Sequence, residues 1–138
     1  MANIIPTAFK TELLSGTHNF ANGGNSFKLA LYTSNPYSAS STTYSTSNEV
    51  SSSGTSYTAG GQALDSQAVA ATSTTGHVDF ADETFASVTL TAAFAAIYND
   101  TNSDKLCLVL DFGGNKTATN GDFVVQFPTA NASDAIIR

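Results

Sequence analysis

The most apolar run of the sequence is KLCLVLDF, residues 105–112, and it lies between two turn sequences. NDTNSD precedes the run, and GGNKTATNGD follows it. A short apolar run between turns is typical of a strand that is buried on both faces. We therefore predict a central β-strand at 105–112, a long hairpin connection through GGNKTATNGD, and a partner strand in DFVVQFP.

Other short segments repeat this pattern along the chain. In SFKLALYTS, Phe27, Leu29 and Leu31 alternate with other residues, which predicts a strand with one buried face. Further strands are predicted at 64–71, 77–80, 87–91 and 93–99, with turns at Gly60-Gly61 and Gly76. One helix is predicted near the N-terminus, in PTAFKTELLSG, with Thr7 as its cap and Gly16 at its end.

The number and spacing of these segments predict the fold class. Seven or eight short strands, one short N-terminal helix and no βαβ alternation favour an all-β antiparallel sandwich, jelly-roll-like or immunoglobulin-like. Charged residues make up only 12% of the chain, against about 25% in an average domain. Lys, Glu and Arg, the usual surface of helices, are therefore scarce. The length of 138 residues favours one domain, 1–138, with an N-terminal arm and helix at about 1–20.

A long loop is predicted at about 35–56, because this segment is rich in Ser and Thr and poor in apolar residues. Loops of this length are usually functional or disordered, so an adaptable contact loop and a mobile linker both remain open. A short extended piece is predicted within it, around 42–45. Residues 40–54 are expected to be dispensable for folding.

The charge balance limits the partners that the chain can bind. Five basic residues are spread along a chain with a net charge of −6, which excludes a nucleic-acid surface and an anionic membrane surface. No apolar stretch approaches the length of a membrane span. The start MANIIPTAFK lacks the pattern of a secretory signal, and the single Cys107 cannot form an internal disulfide. We expect the protein to be made in a reducing cytoplasm.

The sequence contains one acidic group that could bind a hard cation such as Ca²⁺. It is HVDFADE, with His77, Asp79, Asp82 and Glu83. The EF-hand spacing is absent, and a strand points these side chains in different directions. A solvated strand end is the better interpretation, so no metal ligand is predicted.

No other group of residues predicts catalysis. His18 has no acidic partner or nucleophile assigned to it, and Cys107 lies among apolar residues, where burial favours the neutral thiol. The motif DFGG, Asp111–Gly114, resembles the kinase magnesium motif in letters only and is interpreted as a strand end and turn. Asn99, Asn115 and Asn131 begin N-x-S/T triplets that arise by chance in a Ser/Thr-rich chain. We predict no catalytic residue, no cofactor and no enzymatic activity.

Several phrases of the sequence resemble small virion structural proteins of tailed bacteriophages. They are IIPTAFKTELLSGTHNF, NSFKLALYTSN, NEV…SGTSYTAGGQAL and AAIYNDTNSDKLCLVLDFGG…GDFVVQFP. The resemblance covers most of the chain and lies in the order of the phrases. It implies a β-rich, non-enzymatic head decoration (cement) protein on the outer capsid surface of the virion. Its partners would be the major capsid protein and neighbouring copies of itself.

Two segments are candidate contacts in this interpretation. The first is the Ser/Gly-rich stretch 48–67. The second is the N-terminal arm with Ile4, Ile5 and Phe9, for which docking on the protein's own body is an equal alternative. A tail, neck or fibre component is the second expectation, including a receptor- or carbohydrate-binding module. The five tyrosines are scattered along the sequence, which weakens the hypothesis of a carbohydrate-binding module. A small hydrolase that uses His18 or His77 is a third class of function.

Overall fold

The computed structural model describes residues 3–138, so Met1 and Ala2 lie outside the described residues. Its elements are α1 (Thr7–Leu14), β1 (Phe27–Tyr32), β2 (Gln62–Ala63), β3 (Ala68–Thr72), β4 (Thr75–Asp79), β5 (Glu83–Asn99) and β6 (Lys105–Val125). Four strands form one antiparallel sheet in the order β2-β1-β5-β6, and β3 and β4 form a second, two-stranded sheet. The predicted all-β class with one short helix is confirmed. The described residues contain six strands, where seven or eight were predicted.

Helix α1 has the predicted end but not the predicted cap. Pro6 occupies the N-cap position without a side-chain cap hydrogen bond, and Thr7 is already the first helical residue, so the prediction of a Thr7 cap is wrong. Proline suits this place because it lacks the N–H that the first turn would leave unpaired. At the other end, Gly16 adopts a φ of 76°, which terminates the helix as predicted.

Strands β5 and β6 form one long hairpin that the sequence interpretation divided. They pair from Asn99↔Lys105 down to Glu83↔Val125, so GGNKTATNGD is part of β6 and the prediction of a hairpin connection there is wrong. The partner of DFVVQFP is therefore the first half of β5. Register shifts between Phe85 and Val88 and between Ala92 and Phe94 explain why 87–91 and 93–99 look like separate strands.

The apolar run at 105–112 is buried as predicted but does not occupy the centre of the sheet. Residues 106–110 are all buried, yet β6 is an edge strand. Its outer edge is covered by the segments around Ile4 and Thr42 rather than by another strand of the sheet. The backbone of Ile4 exchanges two hydrogen bonds with Val109, and Leu106 donates to the carbonyl of Thr42.

The smaller sheet differs from its prediction in position and turn. The predicted strand at 64–71 is replaced by β2 and β3, because Ser66 adopts a φ of 55° and breaks the extended chain. The predicted turn at Gly76 lies instead at residues 73–74, where Ser73 has a φ of 56°. Strand β1 lies where it was predicted, but both of its faces are buried rather than one.

One large hydrophobic core joins the helix, both sheets and the C-terminal segment. Phe9 of α1, Phe27 of β1 and Phe80 after β4 are each at most 2% exposed, and Phe20 stacks on Phe27 with ring centroids 4.3 Å apart. Phe123, Val125 and Phe127, from the end of β6 and just after it, are also buried. The C-terminal Ile136 and Ile137 also pack against this core.

Candidate interaction surface

Glu49, in the Ser/Thr-rich loop, organises the polar interior on one side of the protein. Its Oε1 accepts hydrogen bonds from the hydroxyl of Tyr57 (2.7 Å) and the backbone N–H of Gly60 (2.7 Å). Its Oε2 accepts a hydrogen bond from the hydroxyl of Tyr44 (2.5 Å). One partly buried carboxylate therefore holds three points of the chain together, and hydrogen bonds to a charged acceptor are among the stronger ones.

The other tyrosines join this network, which we call the tyrosine network: Tyr32, Tyr37, Tyr44, Tyr57 and Tyr98 with Glu49. The hydroxyls of Tyr32 and Tyr37 lie 2.6 Å apart, and Tyr32 also donates to the carbonyl of Ser45 at 2.8 Å. Tyr98 donates to the carbonyl of Gly60 at 2.6 Å and stacks on Tyr44 with a centroid distance of 4.6 Å. Residues that are scattered in sequence therefore converge in space.

The long loop at 35–56 is fastened to the body by these contacts. It contains no helix or strand, as predicted, and the predicted extended piece is seen as a bridge between Thr43 and Lys105. Val50 is buried, and its N–H donates to the carbonyl of Leu31. These contacts count against the expectation that residues 40–54 are dispensable for folding, and that expectation stays a prediction about the deleted chain. Within the candidate contact stretch 48–67, residues 51–54 are exposed.

The tyrosine network predicts an unusual alkaline titration. Burial raises the pKa of all five tyrosines, and the Glu49 carboxylate further raises it for Tyr44 and Tyr57. A raised pKa means that the folded state favours the neutral phenol over the ionised one. The folded state therefore has its full stability below the unfolded pKa of about 10, and it loses stability as the pH rises above that value. We expect tyrosinate absorbance to appear only together with unfolding seen by circular dichroism. If the tyrosines ionise at about pH 10, the ordinary value, while the chain is still folded, the tyrosine network is contradicted.

A second polar cluster joins α1 to the turn of the long hairpin. The carboxylate of Glu12 accepts hydrogen bonds from His18 Nε2 (2.9 Å) and Lys105 Nζ (2.8 Å). Burial raises the pKa of Glu12, but the hydrogen bonds and charges of Lys105 and His18 together outweigh it and hold the pKa below its usual value. The amide of Asn99 donates to His18 Nδ1 at 3.0 Å, which leaves the ring proton on the nitrogen that faces Glu12.

Cys107 lies beside this cluster in an order that resembles a Cys-His-Glu triad. Its sulfur is 3.8 Å from Nδ1 of His18, whose other nitrogen contacts Glu12. Cys107 is 0% exposed, and burial, followed by the charge of Glu12, raises the pKa of its thiol. His18 Nδ1 already accepts a hydrogen bond from Asn99, so it is not free to take a proton from the thiol. This arrangement fits a packed joint between α1 and β6 better than a nucleophile.

The structure separates the acidic residues of HVDFADE. Among residues 3–138 no group of three or more His, Cys, Asp or Glu is close enough to hold a metal ion. His77 is buried and contacts the Thr72 hydroxyl at 3.0 Å, whereas Asp82 accepts a hydrogen bond from the backbone of Phe127. Burial, with the nearby charge of Asp65, raises the pKa of Glu83. His77, Asp82 and Glu83 thus have separate surroundings, and the interpretation as a solvated strand end is wrong for His77 and Glu83, which are both buried.

The DFGG motif and two of the N-x-S/T asparagines also have defined positions in the structure. Asp111 accepts a hydrogen bond from the N–H of Gly113 at 2.8 Å, and DFGG lies within β6, so its interpretation as a strand end and turn is wrong. Asn99 is 0% exposed and its side chain lies in the cluster around His18, which makes it inaccessible to modification in the folded chain. Asn131 caps its own turn by accepting hydrogen bonds from the N–H groups of Ser133 and Asp134.

Exposed apolar side chains gather at the end of α1 and at the smaller sheet. Of the predicted N-terminal contacts, Phe9 is buried and Ile4 pairs with β6, so both pack on the protein's own body, whereas Ile5 is 41% exposed. Leu14 is 89% exposed, and Leu13 and Val69 line a groove of about 230 Å³.

Strand β3 is exposed along its whole length. All five of its residues, AVAAT, are exposed, and in residues 3–138 its backbone pairs only with β4. The sequence interpretation placed a strand near this position but gave it no role. Glu49 and Asn99 were missed as organising residues, because their partners come from distant parts of the chain.

Comparisons with known proteins found no match: no family model, curated protein or solved structure matches this chain. In the part of the chain that the structure describes, no helix has the length and apolar character needed to cross a membrane.

Proposed function

We propose that this protein is a non-enzymatic structural protein of a tailed-phage virion, a head decoration protein that binds and stabilises the lattice of major capsid protein. The resemblance of its sequence phrases supports the assignment. We further propose that the two sheets form a small β-sandwich, which the core shared by Phe27 of β1 and Phe80 after β4 supports. Such a body suits a rigid clamp.

The observation that carries the proposal is the group of exposed apolar residues on and just before α1: Leu14 is 89% exposed, Ile5 41% and Leu13 40%, although Phe9 of the same helix is buried. Burying a leucine side chain in a contact contributes about 1.5–3 kcal/mol. Low charge on the rest of the surface helps as well, because hydroxyl groups cost less to bury than unpaired ions. Contact with a folded shell, repeated over many sites, stabilises the assembled form by mass action.

The test compares the heat stability of complete particles, particles that lack the protein, and depleted particles with purified protein added back. We expect depletion to lower the temperature at which DNA is released and added protein to restore it. Leu14→Ser should bind depleted shells about tenfold more weakly or worse, since a lost 1.4 kcal/mol is a factor of ten. Val124→Ser is the matched control, because Val124 is also exposed (53%) but lies on β6. Depleted particles that release DNA at the same temperature as complete ones would overturn the proposal.

A tail, neck or fibre role is the second candidate. A density map of the whole particle that places the chain in the tail or neck would select it. The carbohydrate-binding form of this role is less favoured by the tyrosines, because four of the five are buried and Tyr44 stacks on Tyr98. Sugar-binding modules need aromatic faces that are open to the ligand.

A further inference from the structure

The sequence contains two Asn-Gly pairs, Asn22-Gly23 and Asn120-Gly121, and the structure places them in different surroundings. An asparagine that precedes glycine loses its side-chain amide readily without an enzyme, because glycine has no Cβ to hinder its own backbone nitrogen. That nitrogen attacks the side-chain carbonyl carbon of the asparagine. The fold therefore decides which of the two pairs reacts.

Asn22 lies in a tight turn in which both reacting groups are free. The N–H of Gly24 donates to the carbonyl of Ala21 at 2.8 Å, and Gly23 has a φ of 79°, as in the third position of a type II turn. Among residues 3–138, neither the side chain of Asn22 nor the N–H of Gly23 has a hydrogen-bond partner. Both residues are exposed, and a Cβ on Gly23 would meet nothing within 4 Å, so a ring has room to form at this turn.

The second pair is also at the surface but is held by the long hairpin. The backbone N–H of Asn120 donates to the hydroxyl of Thr89 at 2.9 Å, and the same hydroxyl donates to Oδ1 of Asn120 at 3.3 Å. Gly121 is paired with Val88. A reaction at Asn120 therefore requires a local opening of the hairpin that first breaks these hydrogen bonds.

The Asn25-Ser26 pair shows the same restraint close to the reactive turn. Oδ1 of Asn25 accepts hydrogen bonds from the backbone N–H of Asn19 at 2.8 Å and from the side chain of Asn99 at 3.0 Å. The N–H of Ser26 donates to the hydroxyl of Thr101 at 2.8 Å. Both groups that would have to meet are thus occupied, whereas those of Asn22 and its neighbour are not.

We propose that Asn22 is a site of spontaneous deamidation in the folded protein. The backbone nitrogen of Gly23 gives its proton to hydroxide and attacks Cγ of Asn22. The new C–N bond closes a succinimide ring, and the bond from Cγ to Nδ2 breaks, so that ammonia leaves with a proton taken from water. A water molecule then opens the ring at either of its carbonyl carbons and gives aspartate or isoaspartate.

The reaction changes the charge and the backbone of this turn. The product is one unit more negative than the present net charge of −6, and Asn22 lines the same polar hollow of about 220 Å³ as Asp65. Isoaspartate also adds a methylene group to the main chain. Nε2 of Gln67 holds the turn by donating to the carbonyls of Ala21 (2.8 Å) and Asn25 (2.9 Å), so a longer main chain disturbs this contact.

Storage of the folded protein at mildly alkaline pH, below the range in which the tyrosines ionise, tests the site. Anion exchange should resolve a more negative fraction, and mass spectrometry of its peptides should place the change at Asn22. We expect Asn22 to react at least about tenfold faster than Asn120, which corresponds to about 1.4 kcal/mol of activation free energy. In a chain unfolded by urea the two rates should be similar, because both pairs are then equally accessible.

Two variants complete the experiment. Asn22→Gln should stop the formation of the more negative fraction, because attack on the longer side chain has to close a larger ring. Asn120→Gln is the matched control and should form this fraction at the rate of the unmodified protein. The proposal is overturned if Asn120 reacts as fast as Asn22 in the folded chain, or if Asn22 stays intact while the unfolded chain reacts. The result is independent of the proposed function, since the reaction is followed on the free protein.

Discussion

Replacement of Gly61 by Ala is expected to destabilise the protein by more than about 3 kcal/mol, or to prevent folding. Gly61 adopts a φ of 77°, which costs a residue with a Cβ about 1–2 kcal/mol. The added Cβ would also lie 1.8 Å from the carbonyl oxygen of Leu29 and 2.8 Å from Cα of Ala30. These atoms belong to the backbone of β1, at the centre of the core, and cannot move aside without breaking its pairing with β5.

Gly54→Ala is the matched control for this substitution. Gly54 has a φ of 72°, but a Cβ there would meet nothing within 4 Å. We expect a loss of about 1–2 kcal/mol from the backbone conformation alone. Urea unfolding of both variants measures the difference, and equal losses would show that Gly61 does not lie as close to Leu29 as described.

Replacement of Glu49 by Ala is expected to cost about 2–4 kcal/mol of unfolding free energy, because three donors lose their acceptor. The N–H of Gly60 and the hydroxyl of Tyr57 lose Oε1, and the hydroxyl of Tyr44 loses Oε2. Tyr57 is only 3% exposed, so water cannot easily replace the lost partner. Glu49 lies in a segment that the sequence alone predicts only as a long loop. A large loss of unfolding free energy in Glu49→Ala would therefore be direct support for the tyrosine network.

Two variants complete the Glu49 experiment. Glu49→Gln keeps the shape of the side chain and one acceptor oxygen, and should lose less stability than Glu49→Ala. Ser52→Ala changes an exposed residue of the same loop and should stay within about 0.5 kcal/mol of the unmodified protein. If Glu49→Ala unfolds at the same urea concentration as Ser52→Ala, then the carboxylate does not hold the loop.

The sequence was sufficient for features that depend on neighbouring residues. Strand β1 follows from the alternation of Phe27, Leu29 and Leu31, and the end of α1 follows from Gly16. The burial of residues 106–110 follows from their unbroken apolar character. In each case the local pattern and the final environment require the same residue types, so a short window of sequence contains the answer.

Other features depend on partners that no short window contains. Gly113 and Gly114 have positive φ angles and resemble a turn, but the register shifts of the long hairpin absorb them within β6. Ser66, Ser73 and Ser87 also adopt positive φ angles, although serine gives no signal for this conformation. Glu49 has a role only after Tyr44, Tyr57 and Gly60 are brought to it by folding, and the edge of β3 is recognisable only when the sheet order is known.

The long hairpin also determines the order in which a growing chain can fold. Strands β5 and β6 are joined by a turn of five residues, 100–104, so they can pair from that turn outwards with little loss of chain entropy. Strand β1 instead waits for β5, which ends at Asn99, far along the chain from Tyr32. At a synthesis rate of about 5–20 residues per second, the apolar β1 leaves the ribosome several seconds before its main partner is complete. During that interval the apolar residues of β1 lack the strand that later buries them.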